Sequence, residues 1–337
     1  MILVVGGAGY VGSHMVQALL DDRRGVVVLD NLSTGHRGLA SAPRARGGGR
    51  GALLVEGSLG DPGLLDRLFT EHRFAAVMHF AAFSLVGESV SQPLRYYQNN
   101  VGETVALLAG MLRHGVTSFL FSSTAAVYGE PEKCPIPEEA PLGPTNPYGA
   151  TKVAVERCLA DCDAAHGLRF VSLRYFNAAG AHPDGHLGEA HEPESHLIPI
   201  VLQVARGLRP HLDIFGTDYP TPDGSCLRDY VHVCDLAQAH LAALTYLEKG
   251  GASRIFNVGS SRAASVREVV GVAERVTGRE IPVREVARRP GDPAVLVADS
   301  SRIRAELGWA PRYEELEPIL GTAWAWEQGG RDRLRGR

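Results

Sequence analysis

The chain begins Met1-Ile2-Leu3-Val4-Val5-Gly6-Gly7-Ala8-Gly9-Tyr10-Val11-Gly12-Ser13, and the order of features in that stretch decides the fold. Residues 2–5 read as a buried strand, the glycines follow without a gap, and a helical pattern runs from Ser13 to Leu20. The spacing satisfies both G-x-G-x-x-G and G-x-x-G-x-x-G. Between a strand and a helix, such glycines let the backbone approach a pyrophosphate whose charge is met by the helix N-terminus. Residues 26–29 form the next apolar run and deliver Asp30 at its end. A carboxylate there accepts hydrogen bonds from an adenosine ribose and repels a 2′-phosphate, so the pattern points to NAD rather than NADP. The plain alternative is a glycine-rich turn with a capping aspartate.

Outward from this stretch, short apolar runs at 2–5, 26–30, 52–55, 75–80, 118–123 and 169–175 alternate with helical patterns. That rhythm predicts βαβ units and a parallel sheet covered on both faces. Residues 94–114 and 148–166 carry apolar residues at helical spacing, and Pro147 suits a first helical turn. After Ala178 the rhythm breaks at Gly180-Ala181-His182-Pro183-Asp184-Gly185-His186, which cannot be a regular element. The expected fold is therefore α/β: a Rossmann-type doubly wound parallel sheet with a smaller mixed α/β substrate-binding lobe. Residues 1–178 form the NAD-binding part and 179–337 mainly the second lobe. Helices are expected at 197–206 and 233–248, a polar loop at 217–224, and a strand near 254–259 that returns to the large sheet. Residues 40–51 are expected as a surface loop and 331–337 as a frayed tail.

Composition narrows the function classes. Of the 337 residues 45% are hydrophobic and 21% charged, the balance of an ordinary globular chain. No apolar run approaches the roughly 20 residues of a membrane span. A formal charge of −4 provides no broad basic field for nucleic acid. The five cysteines, Cys134, Cys158, Cys162, Cys226 and Cys234, form neither a CxxC pair nor a disulfide framework, and the N-terminus lacks a signal-peptide pattern. A cytoplasmic protein is expected. The thirteen histidines show no H-E-x-x-H pattern, and no metal is assigned.

The chemistry is suggested by Pro147-Tyr148-Gly149-Ala150-Thr151-Lys152, which sets Tyr148 and Lys152 at i and i+4 on one helix face. A tyrosine base working near neutrality needs its anion stabilised by roughly 3–4 kcal/mol, and an ammonium with a positive nicotinamide ring supplies such a field. The strand end Phe119-Leu120-Phe121-Ser122-Ser123-Thr124 places a hydroxyl where this fold binds its ligand.

The glycine motif, Ser122-Ser123-Thr124, the Tyr148/Lys152 pair and Arg174-Tyr175-Phe176-Asn177 together resemble the extended short-chain dehydrogenase/reductase family, and within it the nucleotide-sugar 4-epimerases. Further resembling stretches are His79-Phe80-Ala81-Ala82, Val86-Gly87-Glu88-Ser89-Val90, Tyr96-Tyr97-Gln98-Asn99-Asn100-Val101, Ile214-Phe215-Gly216-Thr217-Asp218-Tyr219-Pro220-Thr221 and Arg228-Asp229-Tyr230-Val231-His232-Val233, so that nearly the whole chain is covered. The resemblance implies reversible 4-epimerisation of UDP-glucose and UDP-galactose through a transient 4-keto sugar, with a tightly held NAD and a homodimer formed by the helices 94–114 and 148–166. It implies Thr124, Tyr148 and Lys152 as catalytic residues. Cofactor contacts would come from Gly6, Gly9, Tyr10, Val11, Gly12, Asp30, Asn31, Leu32, Ser33, Ser58, Leu59, Phe80, Ala81, Ala82, Ser84, Asn99, Ser122, Tyr148, Lys152 and Phe176. The UDP-sugar would be held by Thr124, Tyr148, Asn177, His196, Leu197, Ile214, Phe215, Arg228, Arg289, Asp292 and Leu296, the two arginines on the diphosphate.

Each also has a plainer reading: Arg289 as one of a solvated pair with Arg288, Arg228 as a surface ion pair with Asp229, Phe215 as core, His196 as a helix cap. The chain departs from the family at Ser58, where an aspartate is usual, at Val5 in place of Thr, at Ser84 in place of Lys, and at Thr124 in place of Ser. Related dehydratases carry an Asp-Glu pair where this chain has Ala125 and Ala126, which disfavours elimination. Leu296 is intermediate in size at the position that admits or blocks an N-acetyl group, which leaves UDP-GlcNAc/UDP-GalNAc interconversion open. A catalytically inert NAD-binding scaffold is the remote alternative.

Overall fold

The computed structural model describes residues 1–43, 51–289, 291–330 and 334. Positions 44–50 of the expected surface loop, and all of the expected tail but Leu334, lie outside the described residues.

Strands in chain order are β1 (Ile2–Val5), β2 (Val26–Asp30), β3 (Leu53–Glu56), β4 (Ala76–His79), β5 (Ser118–Thr124), β6 (Arg169–Tyr175), β7 (Asn177–Ala179), β8 (Leu212–Phe215), β9 (Leu227–His232), β10 (Arg254–Val258), β11 (Ala263–Ser265), β12 (Val283–Val286) and β13 (Val295–Leu296). Seven of them form one parallel sheet in the order β10-β6-β5-β4-β1-β2-β3. The order reverses between β1 and β4, and the carboxyl ends of those two strands make the crevice where such sheets bind ligands. One core packs the helices Tyr10–Asp21 and Val233–Glu248 on one face of the sheet. A second packs Pro62–Glu71, Thr104–Arg113 and Pro147–His166 on the other. This is the doubly wound arrangement expected from the alternating apolar runs.

Burial explains both the agreement and the slips. The four residues of β1 and the five of β2 are all buried, which is why they read as continuous apolar runs. β3 is the edge strand with Leu53 and Glu56 exposed, and it begins one residue later than the apolar pattern indicates. The 94–114 region is broken up as Pro93–Tyr96, a π-helical turn at Tyr97–Glu103, and Thr104–Arg113. Within that turn Asn100 is buried; its side chain accepts from Phe83 N at 2.9 Å and donates to Phe83 O at 3.0 Å and to Thr151 Oγ1 at 3.2 Å. The helix Pro147–His166 starts with Asn146 accepting from Gly149 N at 2.9 Å and proline in the first turn.

Past β6 the chain builds two smaller sheets. β9 pairs with β11, β13 and β7, and β8 pairs with β12. Their core includes Ile198, Val201, Leu202, Ile214, Tyr230 and Val269. β7 follows β6 of the large sheet after a single residue and pairs with β9, while Leu296 of β13 pairs with Arg228 within the smaller sheet.

Candidate active site

A cleft of about 550 Å³ opens above the carboxyl ends of β1 and β4. Its floor is the glycine turn. Gly12 is needed for packing, since a Cβ there would lie 2.1 Å from Gly6 O. Gly9 is different: a Cβ would meet only Gly6 O at 3.4 Å, and Gly9 faces the cleft, so the open floor itself is what a side chain would fill. Asp30 is buried, accepts from Ala8 N at 2.8 Å and Leu32 N at 2.9 Å, and is raised in pKa by burial against those bonds. The capping role is therefore real, and it coexists with an exposure to the cleft that leaves lone pairs for a ribose. These features fit a dinucleotide: an open backbone floor at a helix N-terminus and an acceptor at the end of β2.

At the other end of the cleft, Thr124 closes β5 and its Oγ1 accepts from Ala126 N at 3.2 Å. Tyr148, on the first turn of its helix, lines the cleft with Thr124. Burial raises the Tyr148 pKa above its ordinary value, with Tyr175 adding to the rise and Thr124 opposing it. Lys152 lies one turn on, and burial lowers its pKa to about 7 against the pull of Glu156. Its Nζ donates to Ser122 O at 2.8 Å and sits 5.9 Å from the centre of the Tyr148 ring. The lysine thus acts on the phenol through the field, not through a direct hydrogen bond. Beneath the pair, Arg174 and Glu156 form a buried ion pair at 2.5 Å, with Ser123 Oγ donating to Glu156 at 2.6 Å.

Of the sequence-predicted cofactor residues, Gly6, Gly9, Tyr10, Val11, Gly12, Asp30, Asn31, Ser33, Leu59, Phe80, Ala81, Ala82, Ser84, Asn99, Ser122 and Phe176 line this cleft with Tyr148 and Lys152. Leu32 and Ser58 do not. Leu32 adopts φ 56° as its backbone bonds Asp30. Ser58 turns its hydroxyl to Glu103 Oε2 at 3.2 Å, and Glu103 does line the cleft. A carboxylate therefore reaches this region from the π-helical turn, although the residue after Gly57 is not an aspartate.

Of the predicted substrate residues, Thr124, Tyr148, Asn177, His196, Arg228 and Leu296 line the cleft, while Leu197, Ile214, Phe215, Arg289 and Asp292 do not. The last three form a neighbouring group with Arg228. The Arg289 guanidinium stacks 3.7 Å from the Phe215 ring centre, and Arg228 approaches Asp292 at 3.4 Å. Arg228 is not paired with Asp229, which is buried and accepts from Ser260 N, Ser261 N and Ala298 N. Arg288, the neighbour of Arg289, is instead bonded to Asp218 at 2.7 Å. His196 precedes the helix Leu197–Ala205 without capping it; its Nδ1 lies 2.7 Å from Glu189 and 3.0 Å from Glu194. Those two carboxylates raise its pKa to about 10 although burial, the largest single influence, acts the other way. Glu103, Tyr175, Glu189 and His191 line the cleft and were not singled out in the sequence. Only Glu189-x-His191-x-x-Glu194-x-His196 leaves a readable spacing, and it matches no common metal motif.

The family model for the NAD-dependent epimerase/dehydratase family matches residues 2–259, more than half the chain. The chain belongs to the NAD-dependent epimerase/dehydratase family. Among relatives within this family, the UDP-glucose 4-epimerase of Halalkalibacterium halodurans is 53% identical over 97% of this chain and 95% of its own. That of Azospirillum brasilense is 51% identical over 97% and 92%. Among solved structures, the UDP-glucose 4-epimerase of Stenotrophomonas maltophila with bound NAD and formylated UDP-arabinopyranose superimposes with a TM-score of 0.94 at 40% identity, covering 100% of this chain and 99% of that one. The UDP-Glc/GlcNAc 4-epimerase of Campylobacter jejuni gives 0.84 at 43%, covering 97% and 98%. Tyr148 and Lys152 line the cleft together with Ala125 and Ala126, neither of which offers a carboxylate.

Proposed function

We propose that this protein interconverts UDP-glucose and UDP-galactose, inverting C4 through a transient 4-keto sugar. The observation that carries the reading is the arrangement around one phenol: Tyr148 in the cleft with Thr124, Lys152 one turn away, and no carboxylate at Ala125 or Ala126 to drive elimination. Burial alone keeps Tyr148 protonated and draws Lys152 toward neutrality. Oxidised NAD, when bound, supplies the hydride acceptor and donor and the positive ring charge that favours the phenolate. Tyr148 then takes the proton of the sugar 4-hydroxyl and returns it after the keto sugar has turned over. Thr124 orients that oxygen, and Ser122 O fixes Lys152. The glycine floor, Asp30 and the wall residues Phe80, Ala81 and Ala82 would hold the dinucleotide. Asn177, His196 and Arg228 would anchor the nucleotide end of the substrate, with Arg289, Phe215 and Asp292 as the adjoining group; Leu296 stands at the sugar.

A coupled UDP-galactose to UDP-glucose assay tests this. Tyr148→Phe should lower kcat by about 10²- to 10⁴-fold with KM little changed. Full activity in that variant sinks the mechanism.

The protein is further proposed to be a homodimer, supported by Leu94, Tyr97 and Val105, which stay exposed along residues 93–113. Light scattering at micromolar concentration should give twice the 36.1 kDa chain mass. The five free cysteines suit a reducing cytoplasm, and no described helix is long and apolar enough to cross a membrane.

A further inference from the structure

We infer that Glu189, His191, Glu194 and His196 form a binding site for a divalent transition-metal ion, Zn²⁺ by donor type. The ligand-capable atoms of the four side chains all lie within 4.8 Å of one another. Three contacts are closer: Glu189 Oε1 to His191 Nδ1 at 2.9 Å and to His196 Nδ1 at 2.7 Å, and Glu194 Oε1 to His196 Nδ1 at 3.0 Å. Two imidazoles and two carboxylates around one point match the tetrahedral N/O donor set of zinc, whose ligand bonds of about 2.0–2.2 Å require only small side-chain movements from this arrangement. Once binding displaces the imidazole protons, two carboxylates and two imidazoles balance one divalent charge, which matters where Glu189 and Glu194 are both buried.

An independent observation comes from Glu194. Its Oε1 accepts from Ser195 N at 2.9 Å and His196 N at 3.0 Å, but the sister oxygen Oε2 is buried with no hydrogen-bond partner. A buried acceptor left unmatched on a carboxylate that already meets an imidazole through its other oxygen is costly unless a cation takes its lone pairs. The segment is also held in place before any ion arrives. Trp326 Nε1 donates to Glu189 O at 2.8 Å, and His36 Nε2 lies 2.7 Å from Ala190 O. Glu189, His191 and His196 line the cleft, so the ion would clamp an irregular stretch of its wall. The inference does not depend on the reaction proposed above.

The test uses the full chain, loaded with Zn²⁺, dialysed into metal-free buffer, and measured for bound zinc by plasma mass spectrometry. One zinc per chain is expected. Glu194→Gln should weaken zinc by at least the about 10- to 100-fold that follows loss of a supporting partner. His186→Ala, which alters the neighbouring His182/Asp184/His186 group, should leave zinc binding intact. Replacement by Co²⁺ in the unaltered chain should give the visible absorption of a tetrahedral site, a reading that does not rely on either variant folding. The inference is overturned by substoichiometric zinc with no cobalt spectrum, by unchanged affinity in Glu194→Gln, or by loss of zinc in His186→Ala alone.

Discussion

The two walls of the cleft are built in opposite ways. The dinucleotide wall comes from strand ends and the turns that follow them, residues close in sequence and packed into the sheet, such as Gly6 to Gly12 after β1 and Phe80 to Ala82 after β4. The facing wall gathers Asn177, Glu189, His196, Arg228 and Leu296 from separate segments, held by ion pairs and short strand pairings. The first wall is fixed by the same forces that fold the protein. The second is fixed by contacts that folding does not strictly require, and it is where relatives can differ in substrate without losing the sheet.

Variants can break that contrast, beginning with the largest effect. Glu156→Gln should destabilise the protein by about 3–5 kcal/mol in urea titration, because Arg174 is left charged and buried under the catalytic pair. A loss below about 1 kcal/mol would show that the catalytic wall is not part of the folding core. Next, Gly12→Ala and Gly9→Ala separate packing from binding. The first forces a Cβ onto Gly6 O and should cost about 3 kcal/mol; the second should keep its melting temperature and lose NAD on gel filtration. Equal loss of stability in both would remove the distinction.

A third probe is pH. His79 is buried, its Nε2 on Thr104 Oγ1 at 2.8 Å, and burial, helped by the Lys152 charge, lowers its pKa to about 3. The unfolded chain binds a proton there below about pH 6.5 and the folded chain does not. Stability from this group is therefore complete above pH 6.5 and falls as pH drops toward 3, by about 2 kcal/mol at pH 5. Burial lowers His14, His232 and His240 in the same way, so His79→Gln should make the stability profile between pH 6.5 and 5 shallower by the share of one histidine; an unchanged slope would refute the assignment. Smallest is Leu296→Tyr on the facing wall. Melting should shift by less than about 2 °C, while the rate on UDP-GalNAc relative to UDP-galactose drops about 10-fold. Equal loss on both sugars would mean Leu296 does not read the N-acetyl position.

The same contrast explains what could be read from the sequence. β1, β2 and the glycine turn are legible because local pattern and burial coincide there. The π-helical turn at Tyr97–Glu103 is not, since it depends on Asn100 bonding Phe83, a partner 17 positions away. Ser58 and Glu103 illustrate a similar blindness: the side chain at position 58 can be read, but not that it meets a carboxylate 45 residues later. Arg228 and Arg289 stand out as arginines, yet their real partners, Asp292 and Phe215, appear only once the second lobe has folded. His196 looks like a cap until Glu189 and Glu194 close on it.

The place of β10 has a consequence for how this gene can be cut. The strand that covers β6 is translated only after β7, β8 and β9 of the other lobe have left the ribosome. Until then the nascent sheet shows β6 as a bare edge, open to chaperones or to another copy. A fragment ending at residue 178 would be frozen in that state. A cut at residue 178 thus parts β6 from the strand that covers it.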